Sequence, residues 1–281
     1  MKFLTSWYRE HNALYHGPEG DRLALEELTP VADRFLGGGA VLEVGCGYGR
    51  NLVGLAATRA RLVVGCDPAR AELERAKAER VSPLAEERRG KIALVHQEPF
   101  RLPFPDGSFD LVVLWQVLEH VFQPIEKQKV LDECVRVLKS GGHLLVETPN
   151  QWFPFDYHDN RMPLVHWVLP RAGREWVTWK IRGMRYHPSQ YLSLGGYERM
   201  IRRAPGLARL ARVSKLAFFR GWGEAYANLG GTQVGLKRLV YLAIAPLHAT
   251  LALFGGSADH FLPSLRVVWR VEKSGAVVGS G

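Results

Sequence analysis

Several short runs in the first 150 residues are apolar almost throughout: VLEV at 41–44, RLVVGCD at 61–67, IALVHQ at 92–97, FDLVVLW at 109–115 and HLLVETP at 143–149. A strand with one wet face alternates apolar and polar residues. Continuously apolar runs therefore predict strands of a parallel sheet covered on both faces. Between them lie segments of helix formers, ARAELERAKAER at 69–80 and the stretch 125–138, which ends at Ser140-Gly141-Gly142. Ahead of them DRLALEELTPVADRF at 21–35 has helical spacing, with Pro30 expected to break or bend the helix. Strands alternating with helices predict an α/β fold, a parallel sheet with helices on both faces.

The texture changes after Asn150. Residues 151–195 are crowded with aromatics, histidines and arginines and keep no sustained period. Irregular segments on an α/β scaffold commonly carry substrate contacts. Further on, 196–204 predicts a short helix, 207–219 a basic helix or strand, 236–254 an apolar helix, and the alternating SLRVVWRVEK at 264–273 a closing strand. The expected division is an N-terminal helical segment (1–37), a ligand-binding core (38–150), a substrate-side or cap region (151–263), the closing strand (264–273) and a disordered tail (274–281).

Charge follows the same division. Residues 1–150 carry 19 Lys/Arg against 21 Asp/Glu, whereas 151–220 carry 13 against 4, so the chain's excess of +9 sits in the middle segment. Such a segment suits an anionic partner or forms a solvated basic face. Six of the eight tryptophans (Trp152, Trp167, Trp176, Trp179, Trp222 and Trp269) also follow residue 150. Aromatics beside cations suit planar or anionic acceptors and membrane interfaces. The run LVYLAIAPLHATLALFGG at 239–256 is interrupted by Pro246 and His248 and falls short of the roughly 20 residues that span a bilayer. A helix packed on the sheet, one lying on a membrane and one lining a hydrophobic pocket are the open readings. Three scattered cysteines and an N-terminus without a signal-peptide core point to the cytoplasm, with peripheral membrane contact as a further expectation.

The first strand runs into VGCGYGRN, where Gly45, Gly47 and Gly49 form G-x-G-x-G. Glycines between a strand and a helix let a ligand approach backbone N–H groups. The dinucleotide fingerprint G-x-G-x-x-G carries its third glycine one position later. The loop here better suits a ligand without a pyrophosphate, such as an amino acid joined to a nucleoside. Asp67 ends the second strand, where a carboxylate can accept from two ribose hydroxyls, or can cap the helix that follows.

VLEVGCGYGRNL, VVGCDP, LPFPDGSFDLVVLWQVLEHV and VLKSGGHLLVETPN, in that order and spacing, resemble a class I S-adenosylmethionine-dependent methyltransferase over residues 38–150. The resemblance is to the branch that methylates small molecules and lipids, including ubiquinone-biosynthesis-type enzymes. It implies a Rossmann-like seven-stranded sheet with helices on both faces, whose last strand, 264–273 here, runs antiparallel. It implies that Glu43, Gly45, Gly47 and Gly49 cradle the methionine part of the cofactor and that Asp67 holds the ribose. Glu98, with Pro99 and Phe100, matches the adenine-contacting position, although Glu-Pro stands where the family usually has Asp-Ala. Gln116 matches a position that lies along the cofactor, and is otherwise an ordinary strand-end residue.

Transfer from a sulfonium needs an aligned nucleophile, exclusion of water and, for a hydroxyl acceptor, a base. His158, in the loop after the fifth strand with Tyr157 and His166 near it, is the favoured candidate base; its other reading is a brace for the aromatic loop. His120 is the second candidate, with a structural role as its alternative. Some relatives hold a divalent metal with a Glu-His pair and an acid three residues before it. Glu119 and His120 match the pair, but Gln116 stands at the acid's position, so no metal is expected. The expected function is O-methylation of a small aromatic or lipid-like acceptor. The competing reading is an RNA methyltransferase using 151–220 as its electrostatic footprint.

Overall fold

The computed structural model describes residues 24–98, 100–152, 155–156, 162–163, 168–183, 191–214 and 264–274. Seven strands form one sheet: β1 (Ala40–Val44), β2 (Leu62–Asp67), β3 (Ile92–His96), β4 (Phe109–Trp115), β5 (Leu138–Pro149), β8 (Leu207–Ser214) and β9 (Ser264–Lys273). Two-residue strands β6 (Phe155–Asp156) and β7 (Met162–Pro163) pair separately. The sheet order is β3-β2-β1-β4-β5-β9-β8. The first five strands are parallel, and β9 runs antiparallel to β5 and β8. The 264–273 closing strand therefore takes the orientation expected of it.

Helices cover both faces, as the apolar strands require. α1 (Thr29–Leu36) and α2 (Arg50–Ala56) cover one, where Val41, Val63, Leu111, Val113, Leu145 and Val268 are buried. α5 (Pro124–Val137) and α7 (Leu194–Ile201) cover the other, with Leu42, Val64, Val112, Leu114, Leu144, Val146 and Trp269. Successive strand residues alternate between these two clusters, the period-2 geometry of a pleated strand. α3 (Arg70–Arg75) continues into a π-helical turn at Ala76–Val81, and α4 (Glu86–Arg89) is a single turn.

Pro30 stands in the first turn of α1, where the π-helical turn Ala24–Leu28 gives way to α-helix, so the helical stretch changes character at the proline. Asp110 of β4 takes the Ala40 N–H on Oδ2 at 2.8 Å and the Lys139 ammonium on Oδ1 at 2.8 Å, fixing the start of β1 beside β4. Trp269 is buried and donates from Nε1 to Glu198 Oε1 at 3.2 Å, which joins the closing strand to α7.

α6 (Arg171–Arg182) arises where the sequence shows no clear period. Its Thr178 is fully buried, while Trp176 and Trp179 are each 63% exposed. Among the described residues no helix is long and apolar enough to cross a membrane. The 239–256 run lies outside them, as does most of the 274–281 tail.

Candidate functional site

β1 and β4 are neighbours whose chain connections leave in opposite directions, so the crevice beyond their carboxyl ends is the switch point where open α/β sheets bind ligands. The glycine loop leaves β1 there. Gly45, Gly47 and Gly49 all have positive φ (72°, 51° and 81°), yet they differ in what a side chain there would meet. A Cβ on Gly45 would lie 2.7 Å from Val117 Cγ2, and one on Gly49 would lie 2.9 Å from Ala76 Cβ. Those two glycines let the loop pack against protein. A Cβ on Gly47 would meet nothing within 4 Å, so Gly47 is the one that faces open space.

Asp67, at the end of β2, ties the loop down. Its Oδ2 accepts from the Gly47 N–H and its Oδ1 from the Ala69 N–H, both at 2.8 Å. It is thus a cap for the segment before α3 and a brace for the glycine loop. Each carboxylate oxygen keeps a second lone pair for a ligand hydroxyl. Tyr48 is flanked by the guanidinium groups of Arg75 and Arg80, 5.5 and 5.8 Å from its ring centre.

Glu43 lies below the loop, buried on β1, and its Oε1 accepts from Asn51 Nδ2 at 2.7 Å. Its Oε2 is buried with no hydrogen-bond partner among the described residues. Burial pushes its carboxyl up to about 8, against smaller lowering by the Asn51 bond and by Arg50. An orphaned carboxyl oxygen under an open glycine loop is a fit for a ligand that brings a donor or a positive charge.

The remaining sequence-predicted residues fall in different places. Gln116 ends β4 with φ +56°, and its N–H donates to the Glu147 carbonyl at 2.8 Å. A non-glycine residue held there stores roughly 1 kcal/mol or more of strain, a pattern that clusters at ligand sites. Phe100 has φ +64°, and Glu98 is exposed. Pro99, His158, Tyr157 and His166 lie outside the described residues.

The structure separates Glu119 from His120. Both belong to a 3₁₀ turn at Leu118–His120, but Glu119 is fully buried while His120 is exposed. Glu119 Oε2 accepts from Thr148 Oγ1 at 3.2 Å, and Thr148 Oγ1 lies 3.3 Å from the buried Tyr197 hydroxyl. Lys127 of α5 donates its buried ammonium to the Leu118 carbonyl and so anchors this turn; burial pulls it down to about 8. Among the described residues no group of three or more His, Cys, Asp or Glu could hold a metal ion.

Residues 42–146 match the family model described as a methyltransferase domain. The glycine loop, strands β2, β3 and β4, and all but the ends of β1 and β5 lie inside that match. This segment is similar to the domains of S-adenosylmethionine-dependent methyltransferases. A probable S-adenosylmethionine-dependent methyltransferase of Mycolicibacterium smegmatis is 36% identical over 147 residues, 52% of this chain and 46% of that protein. A 27-O-demethylrifamycin SV methyltransferase of Amycolatopsis mediterranei is 30% identical over 139 residues, 47% of this chain and 49% of that protein. The chain thus spans about half the length of these curated relatives. The solved PH0226 protein of Pyrococcus horikoshii shares the fold, with a TM-score of 0.55 at 17% identity over 92% of this chain and 96% of that one.

Two buried polar residues near these candidate positions carried no expectation in the sequence. Asn51 holds Glu43, and its place at the start of α2 gave no signal for that. Gln97 is buried directly after β3, two residues beyond Val95 on the same face, a spacing legible in the sequence.

Proposed function

We propose that this protein transfers a methyl group from S-adenosylmethionine to an oxygen on a small aromatic or lipid-like acceptor. The observation that carries the cofactor half is Glu43 Oε2, buried and without a partner among the described residues on the strand that leads into the glycine loop, where the Cβ position of Gly47 is open. When bound, the cofactor supplies an electrophilic methyl on a sulfonium. The chain supplies the rest: Glu43 meets the positively charged end, Gly47 allows close approach, and Asp67 accepts from the ribose hydroxyls with its remaining lone pairs. Gln116, held at the end of β4, lines the path towards the acceptor.

The acceptor half is supported by residues beyond 150. Trp176 and Trp179 stand 63% exposed on α6, next to Lys180, in a segment of strong positive charge. Such a surface favours amphipathic acceptors and peripheral contact with an anionic membrane. The rifamycin relative, whose name gives a 27-O-demethyl compound as its acceptor, favours oxygen as the methylated atom. His158 is the proposed base for a hydroxyl acceptor. The charge of 151–220 favours RNA as a second reading.

The test uses methyl-labelled S-adenosylmethionine with the purified protein and an extract of the source cells. Products are then partitioned into organic, aqueous small-molecule and RNA fractions. Label in the organic fraction is expected, and label in RNA overturns the reading. With the acceptor known, His158→Ala is expected to lower kcat at least about a hundredfold with unchanged cofactor affinity, the usual contribution of a general base. Near-normal turnover removes His158 from the reaction.

A further inference from the structure

We infer that Gln97, rather than the neighbouring Glu98, recognises the adenine base of the cofactor. The inference rests on the cofactor reading above and deepens it. Gln97 follows β3 directly and is only 7% exposed, and its Oε1 is buried with no hydrogen-bond partner among the described residues. A buried amide oxygen left without a donor is costly in the free protein, so a ligand that supplies the donor recovers that free energy on binding. Glu98 is exposed and needs nothing.

The backbone places Gln97 beside the ribose. Its N–H donates to the Asp67 carbonyl at 3.3 Å, so it starts alongside the residue whose carboxylate holds the sugar. The base is joined directly to that sugar. Along β3, Ala93 and Val95 pack on the α5 side of the sheet, and Gln97 continues their period-2 face. His96 lies on the opposite face, where its Nε2 is 3.1 Å from the Pro68 carbonyl. A turn closed by the Arg101 N–H on the Glu98 carbonyl at 3.3 Å, with Phe100 at φ +64°, follows at once. Phe100 packs against the same core cluster, giving the base an apolar neighbour.

Chemistry favours an amide over a carboxylate here. Adenine presents an amino donor next to a ring-nitrogen acceptor, whether at N6 and N7 or at N6 and N1. An amide answers both with one acceptor and one donor. An ionised carboxylate accepts from the amino group and then faces the ring nitrogen's lone pair with another. Pro at 99 has no N–H to offer the base, whereas the side chain of Gln97 carries a donor beside its acceptor.

The experiment measures binding calorimetrically with S-adenosylhomocysteine and with its analogue bearing purine in place of adenine, which lacks the amino group. Wild type is expected to bind the analogue about tenfold more weakly. Gln97→Leu is expected to weaken S-adenosylhomocysteine about tenfold and to bind both ligands alike, while Glu98→Gln changes affinity less than about twofold. Without ligand, Gln97→Leu should melt at or above the wild-type temperature, because it removes an unpaired buried carbonyl. Gln97→Met serves if the branched side chain does not fit. A variant that still prefers the amino-bearing ligand, or a loss confined to Glu98→Gln, overturns the inference. So does a fall in ligand-free melting temperature in both Gln97 variants with that preference kept, which marks a structural role. Failure of wild type to bind S-adenosylhomocysteine at all overturns the cofactor reading instead.

Discussion

Glu43 shows how a single buried side chain couples the site to pH. Desolvation holds its carboxyl near 8 in the folded protein against an ordinary 4.5. Between those values the folded chain keeps a proton that the unfolded chain has released. Proton uptake is then greater in the native state, so stability falls as pH rises through that window and levels off above it. Glu43→Gln keeps the shape and the bond to Asn51 without the ionisation. Urea melts between about pH 5 and 9 are expected to show wild type losing stability relative to the variant as pH rises. Parallel curves would mean that Glu43 is already ionised in the fold. The resemblance pointed to Glu43, Gly45, Gly47, Gly49 and Asp67, but not to their separate reasons for being there. Contact with Val117 and Ala76 decides two of the glycines. Those partners come from distant parts of the chain, which local pattern cannot pair.

At the scale of elements, α5 sets the loop that leads from Gln97 into β4. Arg136 donates to the Phe104 carbonyl at 2.8 Å and the Leu102 carbonyl at 3.0 Å, while Glu133 accepts from the Leu102 N–H at 2.8 Å. The Glu133 carboxylate and the Asp106 side chain hold that guanidinium in turn. Arg136→Ala leaves the two carbonyls unsatisfied, Leu102 itself being buried. We expect a stability loss of about 1–3 kcal/mol in denaturant melts, together with weaker S-adenosylhomocysteine binding. Unchanged affinity would show that the loop holds its shape without α5. The strands were legible as short, continuously apolar runs, and α5 as a segment of helix formers between two of them. The 207–219 segment was open between helix and strand, and pairing with β9 resolves it as a strand over Leu207–Ser214. β5 begins at Leu138, ahead of the apolar run at 143, because Leu138 pairs with Phe109 across an irregularity in the ladder. α6 was not legible because its two tryptophans are exposed and so mark no inward apolar face.

Across the whole molecule, charge is divided: residues 1–150 are close to neutral and residues 151–220 carry +9. Positive charge concentrated over one part of a chain attracts an anionic surface, and the attraction weakens as salt screens it. Charge alone does not distinguish a membrane from a nucleic acid, and exposed tryptophans serve either, as interfacial anchors or as stacking platforms for bases. Trp176 and Trp179 lie three residues apart on α6 with Lys180 beside them, an arrangement that puts apolar rings at headgroup depth and the ammonium against phosphate. The proposed membrane contact then has two separable components. Sedimentation with phosphatidylcholine vesicles containing phosphatidylglycerol should show binding that falls with added salt, and vesicles of phosphatidylcholine alone should bind far less. Replacing both tryptophans by alanine should weaken partition into the anionic vesicles about tenfold or more. The melting temperature should hold, since neither ring is buried in the fold. If binding follows salt but ignores the two tryptophans, the basic face acts alone, and the lipid-like acceptor loses its support in favour of an anionic polymer.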